Sequence, residues 1–424
     1  MAHKYNPFKP NSPVYTGMFA GRGKEIERID EILYQTKHGN PTHILINGER
    51  GIGKSSLLLV ANHFSKGTLA WEDDKYDFLT IQINIDKDTT LIDLAEKLRN
   101  GISRELNKTN QGVAFMQKVW AFIQKLEVAG IKYRQDQSGG INVKVIDDVI
   151  FSLADTIKTI TSDNAVTELG LIKKKDGIVL LIDEADNASK LLNLGGFLKN
   201  LTETLIAEGV NNLLIILAGL PRLKEIIRDS HESALRLFEE FELPPLTKEE
   251  VKNVIRSGLK EANEHIPGVT ITITDEALDN IYFYSEGYPH FVQQIGACVF
   301  AVDADNNVTA EDVKNGMFMK GSAIDLIGNR YYDDLYYNRI NVDSYRRILS
   351  VMAQKWDMWI SKAEIKKEFK GSAATLTNGL KALRDRNVIL SRKGAKGQYR
   401  LQWRSFAFWI NAKTRQVATL PKVE

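Results

Sequence analysis

The chain has 424 residues, 43% of them apolar, and carries 56 Lys or Arg against 54 Asp or Glu for a net charge of +2. That is a soluble globular composition with room for two or three cores, and the single cysteine, Cys298, excludes an internal disulfide or a multi-thiolate zinc site. Met1 to Pro10 is polar and proline-containing, and no apolar run approaches the roughly 18 residues of a membrane-crossing helix, so a cytoplasmic protein is expected.

Residues 1–16 read as an arm rich in Asn and Pro, and Gly17-Met18-Phe19-Ala20-Gly21-Arg22 leads into a helical pattern over Glu25–Tyr34. His43–Asn47 is a short apolar run, a buried strand, and Ser56–Ala61 reads as a helix start. Between them Gly48-Glu49-Arg50-Gly51-Ile52-Gly53-Lys54-Ser55 fills the phosphate-loop pattern G-x-x-x-x-G-K-[ST] in its required strand-loop-helix context, with Ser56 following. The residue types suit the chemistry. Glycines let backbone N–H groups close around phosphates at a helix N-terminus, Lys54 reaches the β- and γ-phosphates, and Ser55 offers a hydroxyl to Mg2+. An ordinary glycine turn is the bland alternative.

Phe78–Ile85 then alternates like a strand, and Thr90–Leu98 has helical spacing. Residues 107–176 are long for one connection. They read as an insertion with helices over Ala114–Leu126 and Asp147–Thr161 around a turn at Gln137-Ser138-Gly139-Gly140. Gly177-Ile178-Val179-Leu180-Leu181-Ile182-Asp183-Glu184 predicts a central parallel strand ending in two acids. An acid there projects into the ligand crevice of an open α/β sheet. Asp183 would hold Mg2+ and Glu184 would polarise an attacking water. Leu191–Ile206 reads as a helix and Leu213–Gly219 as another buried strand, which makes residues 17–246 an α/β, doubly wound parallel-sheet core.

From Thr247-Lys248-Glu249-Glu250, a capping box, the pattern turns helical, with further starts after Thr274 and Thr309; residues 247–325 suit a helical lid. Residues 326–339, with Tyr331-Tyr332-Asp333-Asp334-Leu335-Tyr336-Tyr337, read as an aromatic connector. Residues 340–412 read as a winged helix: helices at 344–354, 362–369 and 373–386, then a hairpin of Val388–Ser391 and Gln398–Gln402. Ser361–Arg404 holds twelve Lys or Arg against Glu364, Glu368 and Asp385, a local +9 that leaves −7 on the rest. Duplex DNA is one partner for such a surface. Thr377, Asn378, Lys381 and Arg384 on the third helix would enter the major groove, and Arg392, Lys393 and Lys396 on the wing would neutralise phosphates. A basic face that docks protein is the other reading. Trp356, Trp359, Trp403, Phe406, Phe408 and Trp409 read as core of this domain.

Phe19-Ala20-Gly21-Arg22, the two acid- and phosphate-loop motifs, Leu217-Ala218-Gly219-Leu220-Pro221-Arg222, Ser233–Phe238 with Leu243-Pro244-Pro245-Leu246-Thr247, and Gly287-Tyr288-Pro289-His290-Phe291 together resemble AAA+ ATPases. The resemblance is to the origin-recognition-like and STAND-like branch with a C-terminal winged helix, and it covers most of the chain outside residues 107–176. It implies ATP with Mg2+, held at the boundary between self-associating subunits, and it assigns Lys54, Ser55, Asp183 and Glu184 to the core site. It further implies an arginine finger at Arg236, with Arg222 and Arg228 as rivals. Two departures stand out. Leu217-Ala218-Gly219 lacks the polar sensor that many relatives carry, and Gly287-Tyr288-Pro289 stands where many have a sensor arginine. The latter resembles the G-x-P element that couples nucleotide to lid position in STAND proteins, and it favours a slow or partner-stimulated switch. A STAND-like signalling scaffold that binds proteins, for example in phage defence, and a small-molecule kinase are the other function classes weighed.

Overall fold

The apolar runs become strands because each is covered on both faces. The computed structural model of the chain describes residues 5–14, 17–70, 75–123, 139–265, 268, 270–392, 394–395 and 397–414. They fall into two compact units, Arg22–Pro244 and Met1–Gly21 with Pro245–Glu424. In chain order the first unit comprises α1 (Gly23–Lys37), β1 (His43–Asn47), α2 (Lys54–Ser65), β2 (Leu79–Asn84), α3 (Leu91–Leu106), α4 (Asn110–Val119), α5 (Gly139–Thr161) and α6 (Ala165–Leu169). It continues with β3 (Ile178–Asp183), α7 (Leu194–Ala207), β4 (Leu213–Gly219), α8 (Leu223–Ser230) and β5 (Phe238–Glu242). The five strands form one parallel sheet in the order β2-β3-β4-β1-β5.

β1, β3 and β4 are buried at every residue, as continuous apolar strands of a two-sided sheet must be. α2 packs on β3 and β4, and α3 on β2. In the insertion, buried Trp120 donates its indole N–H to Thr156 Oγ1 on α5 at 3.1 Å, and Ser152 Oγ donates to the Val119 carbonyl at 2.8 Å. α5 begins at Gly139, so Gly139 and Gly140 open a helix where a turn was expected. Gln137, Ser138 and residues 124–126 of the expected Ala114–Leu126 helix lie outside the described residues.

The first residue of β1 carries a pH liability. His43 is buried, and its Nδ1 accepts the Ile215 N–H at 3.3 Å, which requires a neutral ring. Burial lowers its pKa from 6.5 to about 4. Below pH 6.5 the unfolded chain binds a proton that the native ring refuses, so stability is lost as pH falls from 6.5 toward 4. Between pH 6.5 and 5 this amounts to roughly 2 kcal/mol. His43→Asn, which keeps an acceptor near the Nδ1 position, is expected to flatten this slope in urea unfolding followed at both pH values; an unchanged slope would assign the acid sensitivity elsewhere.

The second unit contains α9 (Lys248–His265), β6 (Thr272–Ile273), α10 (Asp275–Ser285), α11 (Pro289–Val302), β7 (Asn307–Val308), α12 (Ala310–Phe318) and α13 (Ala323–Tyr331). α14 (Asp343–Ala353), β8 (Ile360–Ser361), α15 (Lys362–Glu368), α16 (Ala373–Asp385), β9 (Ile389–Ser391), β10 (Gln398–Leu401) and α17 (Arg404–Thr414) follow. Thr274 and Thr309 cap α10 and α12 through their hydroxyls, and Thr247 with Glu250 makes the expected box at 3.4 and 2.7 Å. The order from α14 to β10, with an antiparallel β8-β10-β9 sheet, is consistent with a winged helix.

α17 was not legible as a helix, yet Phe406, Phe408 and Trp409 on it are buried, as core residues should be. The tyrosine connector packs against it: Tyr332 Oη lies 2.6 Å from Ser405 Oγ, and the Tyr336 ring meets Trp409 edge-on at 5.3 Å. Residues read as an N-terminal arm are packed too. Phe8 lies so close to Gly258 and Gly296 that a Cβ at either would come within 2.9 Å of its ring, and the Lys9 N–H donates to Gln293 Oε1 at 2.8 Å. The sequence boundaries at 16/17 and 246/247 therefore differ from the division of the units at 21/22 and 244/245.

Candidate nucleotide-binding site

The phosphate loop leaves β1 and turns into α2 through Gly53, whose φ of +102° is open to glycine but strained for other residues. This turn brings the N-terminus of α2 to the loop, the end of a helix that presents backbone N–H groups to an anion. Lys54 Nζ lies along the loop and donates to the carbonyls of Gly48 and Glu49 at 2.8 and 2.9 Å. Burial lowers the pKa of Lys54 while Asp183, Asp186 and Glu49 pull it up.

Ser55 Oγ donates to Asp183 Oδ2 at 2.7 Å, so the two residues expected to hold the metal touch across α2 and β3. A hydroxyl and a carboxylate are hard oxygen donors, which fits Mg2+. The other Asp183 oxygen accepts the Glu184 N–H at 2.8 Å. Glu184 itself has φ +53°, an uncommon conformation for a side-chain-bearing residue, and lies just past the carboxyl end of β3. Burial, then the charges of Asp183, Asp186 and Asp86, raise its pKa. Though the side chain is exposed, this shift makes it a better proton acceptor than an isolated glutamate.

Three features escaped the sequence reading. Buried Asp186 accepts the Leu220 N–H at 3.0 Å and Arg222 Nε at 2.9 Å, and Arg222 also reaches Asn187 Oδ1 at 3.3 Å. This clamps the loop after β3 to the end of β4 and engages one rival finger within the chain. Asn47, buried at the end of β1, donates to Glu240 Oε1 at 3.2 Å. Arg22, also buried, reaches the loop from upstream. An acid following Asp-Glu and an arginine following Gly-Leu-Pro were visible signals for the first pair; the partners of Asn47 and Arg22 depend on the fold.

Arg236 is exposed in a short 3-10 turn, Glu232–Leu237. Its sequence neighbours Glu239 and Glu240 are engaged elsewhere, Glu239 by Arg28 in a bidentate pair at 2.6 to 3.1 Å and Glu240 by Lys224 at 2.8 Å. Arg228 is exposed on α8. Arg50 is exposed, Glu49 and Ser56 are half-buried, and burial raises the Glu49 pKa.

Pro289 belongs to the second unit, as the first residue of α11. Gly287 before it has φ +75° and sits so close to Leu246 that a Cβ would lie 2.1 Å from the Leu246 carbonyl oxygen. Neighbouring Glu286 accepts the Arg404 N–H at 2.7 Å, and burial raises its pKa to about 7. On the basic domain, Lys381, Arg384, Thr377 and Asn378 are exposed on α16. Exposed Arg392, after β9, donates to Gln398 Oε1 at 2.8 Å, while Lys393 and Lys396 lie outside the described residues.

Residues 18–216 match the family model described as an AAA ATPase domain. The fold of the chain is similar to the Walker-type ATPase of Pyrococcus abyssi, at 17% identity over 96% of this chain and 99% of that one, with a TM-score of 0.52. It is also similar to the ORC2 protein of Aeropyrum pernix in ADPNP-ADP complexes, at 12% identity over 96% and 98% of the two chains, with a TM-score of 0.53. At these identities the likeness is one of fold. An uncharacterised HTH-type transcriptional regulator of Methanocaldococcus jannaschii is 27% identical over 294 residues, 68% of this chain and 64% of that relative. The match thus spans less than two thirds of that relative's length. No helix among the described residues is long and apolar enough to cross a membrane.

Proposed function

We propose that the chain is a cytoplasmic ATP-binding and ATP-hydrolysing switch that couples nucleotide state to self-association and to duplex DNA binding or partner recruitment. The observation that carries the ATPase reading is the convergence of Lys54, Ser55, Asp183 and Glu184, with the Ser55–Asp183 hydrogen bond of 2.7 Å at its centre. In this reading Gly48–Ser56 bind the phosphates through backbone N–H groups and Lys54 balances their charge. Ser55 and Asp183 hold Mg2+, which when bound neutralises charge on the β- and γ-phosphates. Glu184 takes the proton of the attacking water, Arg236 reaches a neighbouring subunit's ATP, and Pro289 helps link nucleotide to the lid.

The DNA part rests on the exposed cations of α16 and on the relative whose name describes an HTH-type regulator. A second reading, a signalling scaffold whose winged helix docks protein, is favoured by the internal engagement of several cations. Lys362 donates to Thr377 at 2.8 Å, and Arg384 pairs with Asp385 at 3.0 Å. ATP hydrolysis with and without duplex DNA, at low and raised salt, separates the two. The expected result is stimulation by DNA that fades with salt and is lost in Lys381→Glu/Arg384→Glu, with nucleotide affinity unchanged. Assembly on ATP alone, with a rate indifferent to DNA, would establish the scaffold instead.

A further inference from the structure

Arg22 stands at the N-terminus of α1, 30 positions before Ile52, and is 4% exposed. Its guanidinium Nη2 donates to the Ile52 carbonyl at 3.2 Å and to the Pro244 carbonyl at 2.7 Å. Ile52 is itself buried, and its side chain backs onto Gly48, where a Cβ would meet Ile52 Cγ2 at 2.8 Å and Leu243 Cβ at 3.5 Å. The Leu243 N–H donates to the Asn47 carbonyl at 2.9 Å. The back of the phosphate loop therefore rests on the chain leaving β5, and one buried cation ties the two together.

The consequence lies in one peptide unit. The Ile52 carbonyl and the Gly53 N–H belong to the same planar trans peptide, so they point in opposite directions. That peptide joins Ile52 to Gly53, and Gly53, at φ +102° and without a Cβ, lets the plane take either orientation at little steric cost on its side. Holding the carbonyl from behind turns the Gly53 N–H toward the phosphates. Resting on the nucleotide-site reading above, we infer that Arg22 is a positioning residue for the phosphate cradle: it locks the Ile52–Gly53 peptide with its N–H inward and fixes the loop to Pro244. It touches no phosphate. It acts through the loop backbone, and its effect should fall on any ligand that the cradle holds by its phosphates.

The test compares a fluorescent ADP with inorganic tripolyphosphate, each with Mg2+, on the full chain. Arg22→Ala is expected to weaken both by a similar factor, roughly 10- to 100-fold for a charge-assisted hydrogen bond removed from a preorganised loop. Arg22→Lys, which keeps the charge but not the planar fork, should fall between Arg22→Ala and the native chain. Arg28→Ala, which removes the other α1 arginine and its pair with Glu239, should leave both affinities unchanged. Circular dichroism verifies folding, and if Arg22→Ala does not fold, Arg22→Lys decides. Native affinity in a folded Arg22 variant, or a loss confined to the nucleotide and not shared by tripolyphosphate, would overturn the inference. Lys54→Ala, run alongside, keeps the two levels apart. If it leaves ADP binding intact, the site reading fails; if it abolishes binding while the Arg22 variants bind normally, only the positioning role fails.

Discussion

Lys54→Ala is expected to remove measurable nucleotide binding, a loss of roughly 100- to 1,000-fold or about 3–4 kcal/mol. The ammonium is held over the loop by the Gly48 and Glu49 carbonyls and stands beside Asp183, Asp186 and Glu49, so its position is fixed before any phosphate arrives. A phosphate chain bearing several negative charges meets a cation whose solvation is already partly lost, which makes the charge-assisted bond strong. The substitution should spare the fold, because Lys54 opens α2 and the core contacts of that helix come from Leu57, Leu58, Val60, Ala61 and Phe64. Equilibrium binding of labelled ADP, with thermal unfolding as the control for folding, reads this out. Affinity within threefold of the native chain would remove Lys54 from the site.

Glu184→Gln is expected to slow hydrolysis by roughly 100- to 1,000-fold while leaving the ATP dissociation constant nearly unchanged. The amide keeps the shape of the side chain, and the Asp183 contact runs to the Glu184 backbone N–H and survives. What disappears is a proton acceptor whose basicity is raised by burial and by Asp183. The same shift gives the native reaction its pH profile: the rate should climb with pH as the Glu184 carboxyl ionises, above the ordinary glutamate range, and the climb should vanish in the glutamine variant. Single-turnover hydrolysis separates chemistry from product release. A native single-turnover rate would show that another group activates the water.

The candidate nucleotide-binding site was legible where chemistry and local geometry are written in consecutive residues. Gly48–Ser55 is readable as a candidate phosphate cradle because such a cradle needs glycines, a lysine and a hydroxyl at set spacings on one turn. Gly177–Glu184 declares a two-sided strand because β3 is buried on both faces, and Leu213–Gly219 coincides with β4 for the same reason. Capping residues Thr247, Thr274 and Thr309 marked helix starts because a hydroxyl and the N–H three residues on are local partners. By contrast α17 hides in a run of aromatics buried on several sides, which has no 3.6-residue alternation to detect.

The sequence by itself determined the phosphate loop, the acid-tipped strand, the parallel α/β core and the charge asymmetry, since each depends on interactions within a few residues or on composition. Only the tertiary structure decided that Arg22 grips Ile52 and Pro244, that Arg222 is bound to Asp186, that Arg28 and Lys224 claim the glutamates near Arg236, and that Phe8 is core. These are pairings across 16 to more than 200 positions. A buried guanidinium or carboxylate must find a partner, but which of many equivalent partners it finds is set by where the sheet order β2-β3-β4-β1-β5 brings the strand ends together.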